Sequence, residues 1–298
     1  MIEILEFTPL SLTKTKINQK KIFKALINSL HLENELKTGK IPFLVSSPLP
    51  IRGNKVFFPK PKLKEVITDI ERKKKWDEIE YVEKGIIKKV LERKIKTDMD
   101  LLENIKEGSY LRKEDFYTID LRKRIKINRL TGRGEKLYWF PVFLYKPFIV
   151  MVKVLDKEMW KEKKGMLEKG IFLFLGGGKS IGLGQFKVKK GNREWVKDLI
   201  PYAEKKSRKL YLISDIFFDE RIDTTKSNVD INIRSLYIST EELLKNPTLM
   251  NKNSLKPKPV VEIMEGGIIE LKEEDNIVGG IEEIEGFKKY GKGFGLSL

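Results

Sequence analysis

Between Leu121 and Lys136 the chain places seven cations, Arg122, Lys123, Arg124, Lys126, Arg129, Arg133 and Lys136, against one acid, Glu135. An arginine guanidinium can grip a phosphate through two hydrogen bonds and stack on a base, which a lysine ammonium cannot. If the segment meets a single-stranded polyanion, each phosphate neutralised adds about 0.7 to the magnitude of the log-log salt slope. A merely solvated hairpin face is the competing reading, because charge runs are usually that. Tyr138, Trp139 and Phe140 follow directly. They could stack bases, although in a strand at least half of them must turn toward the core.

A second segment sets five glycines, Gly176, Gly177, Gly178, Gly182 and Gly184, within nine residues around Lys179 and Ser180. The spacing fails both standard nucleotide signatures. A P-loop ending at Lys179-Ser180 would need glycine where Leu173 stands, and a dinucleotide fingerprint starting at Gly176 would need one at Ile181. The stretch after the loop, Gln185–Val188, also reads as a strand, whereas both signatures deliver phosphate to a helix N-terminus. What remains is close backbone approach and exposed N–H groups, with Lys179 and Ser180 to meet a phosphate or ribose. A tight connection without a ligand is the alternative.

Other chemistry is thinly represented. There is no cysteine, which excludes disulfides, thiolate zinc sites and thiol nucleophiles, and His31 is the only histidine. The carboxylates are too evenly spread for a two-metal site to stand out. The densest acidic run, Asp215, Asp219, Glu220 and Asp223, is expected at the surface, and no metal or cofactor is expected. Basic residues outnumber acidic ones 60 to 43, a net charge of +17, which favours a polyanionic partner. Residues 256–287 carry net −6, leaving +23 elsewhere, so a nucleic-acid face belongs mainly to the first part of the chain. Abundant Lys, Ile and Glu with only Gln19 and Gln185 as glutamines matches a thermophile bias. No apolar run of about 20 residues and no basic leader is present, giving the expectation of a cytoplasmic protein without a membrane partner.

The elements that must position these segments follow from periodicity. Ile2–Phe7 reads as a strand. A helix capped by Asn18 buries Ile22, Phe23, Leu26, Ile27 and Leu30 on one stripe. Strands at 41–45 and 55–58 flank the loop 46–54, and the charged stretch 64–107 reads as a helical insertion packed outside, with Val66, Ile67 and Ile70 on one face. A long hairpin runs from Arg122 through a turn at 128–134 into Leu137–Tyr145. A helix over 159–169, an apolar strand at 171–175, the glycine-rich loop 176–184 and a strand at 185–188 complete a β-α-β-β-α-β order. The fold class expected is therefore α+β, a first unit of residues 1–190 and a second of 191–298.

The loop 175–186 resembles the glycine-rich signature of the RAMP superfamily of CRISPR proteins. Val45-Ser46-Ser47-Pro48 leading to Phe58-Pro59-Lys60-Pro61, Ile127–Arg133 leading to Leu137-Tyr138, and the ending Tyr290-Gly291-Lys292-Gly293-Phe294 together resemble the fourth Csm subunits of type III-A effector complexes. The resemblance implies two ferredoxin-like (RRM-like) domains and a site for the repeat-derived 5′ handle of the crRNA. It also implies contacts with the large polymerase-like subunit and the backbone RAMP subunit, and no catalysis. Carried over by position, the handle-binding candidates are Ser46, Ser47, Arg52, Arg122, Arg124, Arg129, Arg133 and the loop residues Gly176, Gly177, Gly178, Lys179, Ser180, Gly182 and Gly184, with Lys126 added from the charge pattern. Asn128 departs from the Asp common in the family and leaves the partner of Arg129 open. The alternative is a crRNA-processing, metal-independent endoribonuclease of the same superfamily using His31. In that group the glycine-rich loop lies near the C-terminus, whereas here 114 residues follow Gly184.

Overall fold

The computed structural model describes residues 1–64, 67–127, 130–131, 133–236, 257–284 and 287–298, excluding the side chains of Lys126 and Phe287. The site expectations for Arg129 and the partner of Arg129 at Asn128 lie outside the described residues, as does the side chain of Lys126.

β1 (Ile2–Pro9) lies in the interior of a nine-stranded sheet because it is apolar on both faces. Ile2 and Ile4 join one core cluster and Leu5 and Phe7 the other. After a crossing segment comes α1 (Gln19–Ser29), whose N-cap Asn18 accepts the Lys21 N–H at 3.2 Å. Its stripe Ile22, Phe23, Leu26 and Ile27 is buried as the spacing predicts. The short α2 (Glu33–Lys37) precedes β2 (Phe43–Val45), β3 (Leu49–Arg52) and β4 (Lys55–Pro59).

Residues 64–107 contain α3 (Ile70–Glu78), β5 (Tyr81–Glu83), α4 (Lys84–Leu91) and α5 (Asp98–Asn104). The face expected there divides: Ile67 is buried while Ile70 is 84% exposed, and Val66 lies outside the described residues. Nor is the stretch only external. α4 buries Ile86, Ile87, Val90 and Leu91 in the main core, and β5 extends the sheet between β4 and β6 (Tyr110–Leu111).

After α6 (Lys113–Phe116), β7 (Tyr117–Ile127) and β8 (Gly134–Tyr145) form an isolated two-stranded hairpin, longer at its base than the sequence suggested. β9 (Phe148–Val154) returns into the sheet with all seven residues buried, since both of its faces are covered. α7 (Lys157–Lys169), β10 (Ile171–Phe174) and β11 (Gln185–Lys190) follow. The path of the sheet is β10-β11-β1-β9-β3-β4-β5-β6, with β2 also on β9.

The remaining chain holds α8 (Ile200–Glu204) and then β12 (Ser207–Leu212), β13 (Ile216–Phe217), β14 (Ile231–Leu236), β15 (Lys258–Ile263), β16 (Ile268–Asp275), β17 (Ile277–Val278), β18 (Ile281–Ile284), β19 (Phe287–Tyr290) and β20 (Gly293–Ser297). They pair as β16-β12-β20-β17, β13-β15-β14 and β18-β19. One core cluster joins Ile2, Ile4, Ile149 and Met151 to Tyr211, Ile213, Ile268, Phe294 and Leu296, so the C-terminal strands close one face of the large sheet. Every pairing between these strands is antiparallel, a mixed α/β architecture.

Candidate nucleic-acid interface

The hairpin β7–β8 is anchored at its base by Tyr117 and Tyr145, whose rings pack with Phe116. From the Tyr117–Tyr145 pair to the Lys126–Lys136 pair it spans about 30 Å at ordinary strand rise. Alternation gives it two unlike faces. One carries Ile119, Leu121, Ile125, Leu137 and Trp139, each more than half exposed, with Lys123 Nζ 4.7 Å from the Trp139 ring. The other carries Arg122 and Arg124 with Tyr138, and Arg124 lies 4.9 Å from the Phe140 ring centroid. A cation held on an aromatic face is partly preorganised for a phosphate, at about 0.5–1 kcal/mol where exposed.

The basic face meets the glycine-rich loop. Phe140 and Val142 pack with Leu183 of the loop and with Leu12. Between them runs the segment 10–18: Thr13 exchanges backbone hydrogen bonds with Phe143 at 2.8 and 2.9 Å, and the Gly184 N–H donates to Leu12 O at 2.7 Å. Gly184 has φ +84°, and a Cβ there would stand 2.2 Å from Leu175 O. Gly176, at φ +81°, leaves room for Thr15. These two glycines are needed for close approach within the protein.

The expectation that the loop exposes its N–H groups is only partly met. Those of Leu175, Ile181, Gly182, Leu183 and Gly184 donate to backbone carbonyls within the loop or to Leu12. The part of the loop outside these bonds is Gly176, Gly177, Gly178, Lys179 and Ser180, of which the last two are exposed, while Gly182 is a turn residue at φ +76°. Beside it the crossing segment presents Lys14 and Lys16, both exposed. In the sequence these lysines are marked only by their alternation with small polar residues just before the Asn18 cap.

The other candidates divide. Arg133 is exposed near the hairpin tip, and Arg52 is exposed at the end of β3, separated from the glycine-rich loop by β9 and β1 in the sheet order. Ser46 does not belong to an RNA surface. It is fully buried, donates to Ser47 O at 2.8 Å and accepts from the Met151 N–H at 3.0 Å, stitching the 46–47 loop to β9. Ser47 is buried too, at the floor of a cleft. His31 is exposed in a left-handed conformation just past α1, at φ 55°.

That cleft, about 400 Å³, opens between the base of the hairpin and the β13-β15-β14 sheet. Asp215 and Glu265 line it, so Asp215 is buried rather than on the surface as its sequence neighbourhood suggested. Asp215 accepts the Glu265 N–H at 3.0 Å. Burial, reinforced by Asp215, pushes Glu265 up to about 8. Burial also raises Asp215 and lowers Lys21, the latter to about 8. Asp219, also expected outside, is held with Asp275 by Arg221 in a charge network. Among the described residues no group of three His, Asp or Glu could hold a metal ion, and no helix is long and apolar enough to cross a membrane.

No family model and no curated protein matches the sequence significantly. Solved structures do match the fold. A chain of the Csm3–Csm4 subcomplex of the type III-A CRISPR-Cas interference complex gives a TM-score of 0.58 at 15% identity over 99% of both chains. A chain of type III-B Cmr-beta bound to cognate target RNA gives 0.54 at 12%, covering 90% of this chain and 86% of that one. A chain of the Csm1–Csm4 cassette in complex with pppApA gives 0.50 at 13%, covering 100% and 96%. The chain thus shares its fold with chains of type III CRISPR complexes, over nearly its whole length in the Csm3–Csm4 and Csm1–Csm4 structures.

Proposed function

We propose that this protein is a non-catalytic subunit of a type III-A CRISPR effector complex, built from two ferredoxin-like units, that holds the 5′ handle of the crRNA. It would bridge the large polymerase-like subunit and a backbone RAMP subunit. The observation that carries the reading is the union, through Phe140, Val142 and Leu183, of an arginine-bearing hairpin face with a glycine-rich loop on a Csm4-like fold. That union brings the face bearing Arg122 and Arg124 against the loop that carries Lys179, with Lys14 packed by Gly177 and Lys16 two residues on, a cationic surface suited to RNA. The opposite, apolar face of the hairpin supports assembly into a complex, since contiguous exposed apolar patches mark interaction surfaces.

The test is direct binding of the purified chain, alone and with its two neighbouring subunits, to RNA with and without the repeat-derived handle. Preference for handle-bearing RNA is expected, with no cleavage of repeat RNA. Equal affinity would refute handle recognition, and specific cleavage lost in His31→Ala would establish the endoribonuclease instead.

A further inference from the structure

Among the described residues the large sheet ends at β10, which pairs with β11 on one side and with no strand on the other. The register fixes which backbone groups face that open side. The Leu175 N–H donates to Gly184 O at 2.8 Å just past the strand, and hydrogen-bonded pairs recur at every second residue of an antiparallel ladder. Leu173 and Ile171 therefore bond to β11, while the N–H and C=O of Phe172 and Phe174 point outward. β11 agrees from its own side: Gln185, opposite Phe174, accepts the Leu10 N–H at 2.9 Å and so turns its carbonyl away from β10.

The same two residues expose their side chains. Leu173 enters the core with Phe186 and Val188, whereas on the other face Phe172 is 59% and Phe174 38% exposed. Across the sheet Phe172 stands in one row with Lys187 and Thr8, and Phe174 in the next with Gln185 and the half-exposed Leu10. Natural sheet edges are guarded by charged residues, proline or a bulge. β10 has none of these: Ile171, Phe172, Leu173 and Phe174 are all apolar and their register on β11 is unbroken. Such an edge is a template for a further strand. The exposed cations Lys169, at the end of α7, and Lys187 flank it, so the strand that complements it is acidic.

We propose that β10 is a docking edge for one extended strand of an acidic partner protein, hydrogen-bonded to the backbone of Phe172 and Phe174, with alternate side chains on the two rings and carboxylates at Lys169 and Lys187. In this mode of recognition main-chain bonds supply affinity and alternate side chains supply specificity. RNA matches the edge less well, because phosphate oxygens only accept and the two outward carbonyls need donors, whereas a peptide strand offers both. The docking rests on the reading above that the protein is a subunit of a larger complex, and it uses none of the arginines of the hairpin.

The experiment measures amide hydrogen exchange of the full-length protein alone, with handle-bearing RNA, and assembled with its neighbouring subunits. Exchange at Phe172 and Phe174 is expected to slow about 100-fold on assembly and to stay unchanged with RNA alone. Phe172→Pro should weaken assembly about 10-fold and leave the isolated chain folded, since that N–H is unused within the sheet and an edge strand tolerates proline there. Unchanged exchange at both amides in the assembled complex overturns the docking edge while leaving the subunit reading intact. Protection by RNA alone overturns it in favour of a base platform, and protection of the isolated chain that rises with its own concentration overturns it in favour of a second copy. Failure to assemble at all would reject both the docking edge and the reading beneath it.

Discussion

The exposed track and the cleft beside it recruit charge in opposite ways. On the hairpin and glycine-rich loop, Arg122, Arg124 and Lys179 lie at or near the surface, and their value lies in number. In the cleft, Asp215 and Glu265 are placed where burial works against ionisation, and their value lies in position. A track of the first kind binds any polyanion and is screened by salt. A floor of the second kind answers to pH instead, because burial raises both acids.

The contrast can be broken at several points. Gly184→Ala should have the largest effect. Its Cβ would collide with Leu175 O at a backbone angle that L-residues avoid, costing about 3 kcal/mol of stability and misplacing the loop, measurable by denaturant unfolding. Arg122→Ala with Arg124→Ala should cost no more than about 1 kcal/mol of stability, the Arg124–Phe140 contact, yet weaken RNA binding about 10-fold at low salt. The same pair should flatten the log-log salt slope by about 1.4, two phosphates' worth.

The cleft should answer to pH instead of salt. The folded state holds a proton on Glu265 that the unfolded chain, with a carboxyl near 4.5, has released. That contribution is fully present below about pH 4.5 and is lost as pH rises toward 8. Asp215, raised as well, acts in the same sense. Lys21, lowered to about 8, acts oppositely but above that pH. Melting between pH 5 and 8 should therefore show a decline on the order of 5 °C that Glu265→Gln reduces. Lys179→Ala should give the smallest change, about 2-fold in RNA affinity with no pH dependence, read by titration at fixed salt.

The track was largely legible in the sequence because it depends on composition and local period. Seven cations around a turn, and glycines too closely spaced for ordinary backbone, announce themselves without tertiary knowledge. The Asn18 cap and the Ile22-to-Ile27 stripe were legible for the same reason. The cleft was not, because Lys16, Tyr145 and Glu265 are far apart along the chain and meet only when the C-terminal strands close over the sheet. Burial alone separates Asp215 from the surface acid its neighbours suggested, and Ser46 from the RNA contact the family resemblance implied. Ile70, expected inside, is exposed because α3 docks no apolar stripe: its other residues are almost all charged.

The claim that the hairpin and loop form one RNA-holding surface is tested most directly by the salt dependence of handle-RNA affinity for the wild type and for Arg122→Ala with Arg124→Ala. A lower affinity together with a slope reduced by about 1.4 is the expected result. An unchanged slope would show that these arginines touch no phosphate and would contradict the assignment.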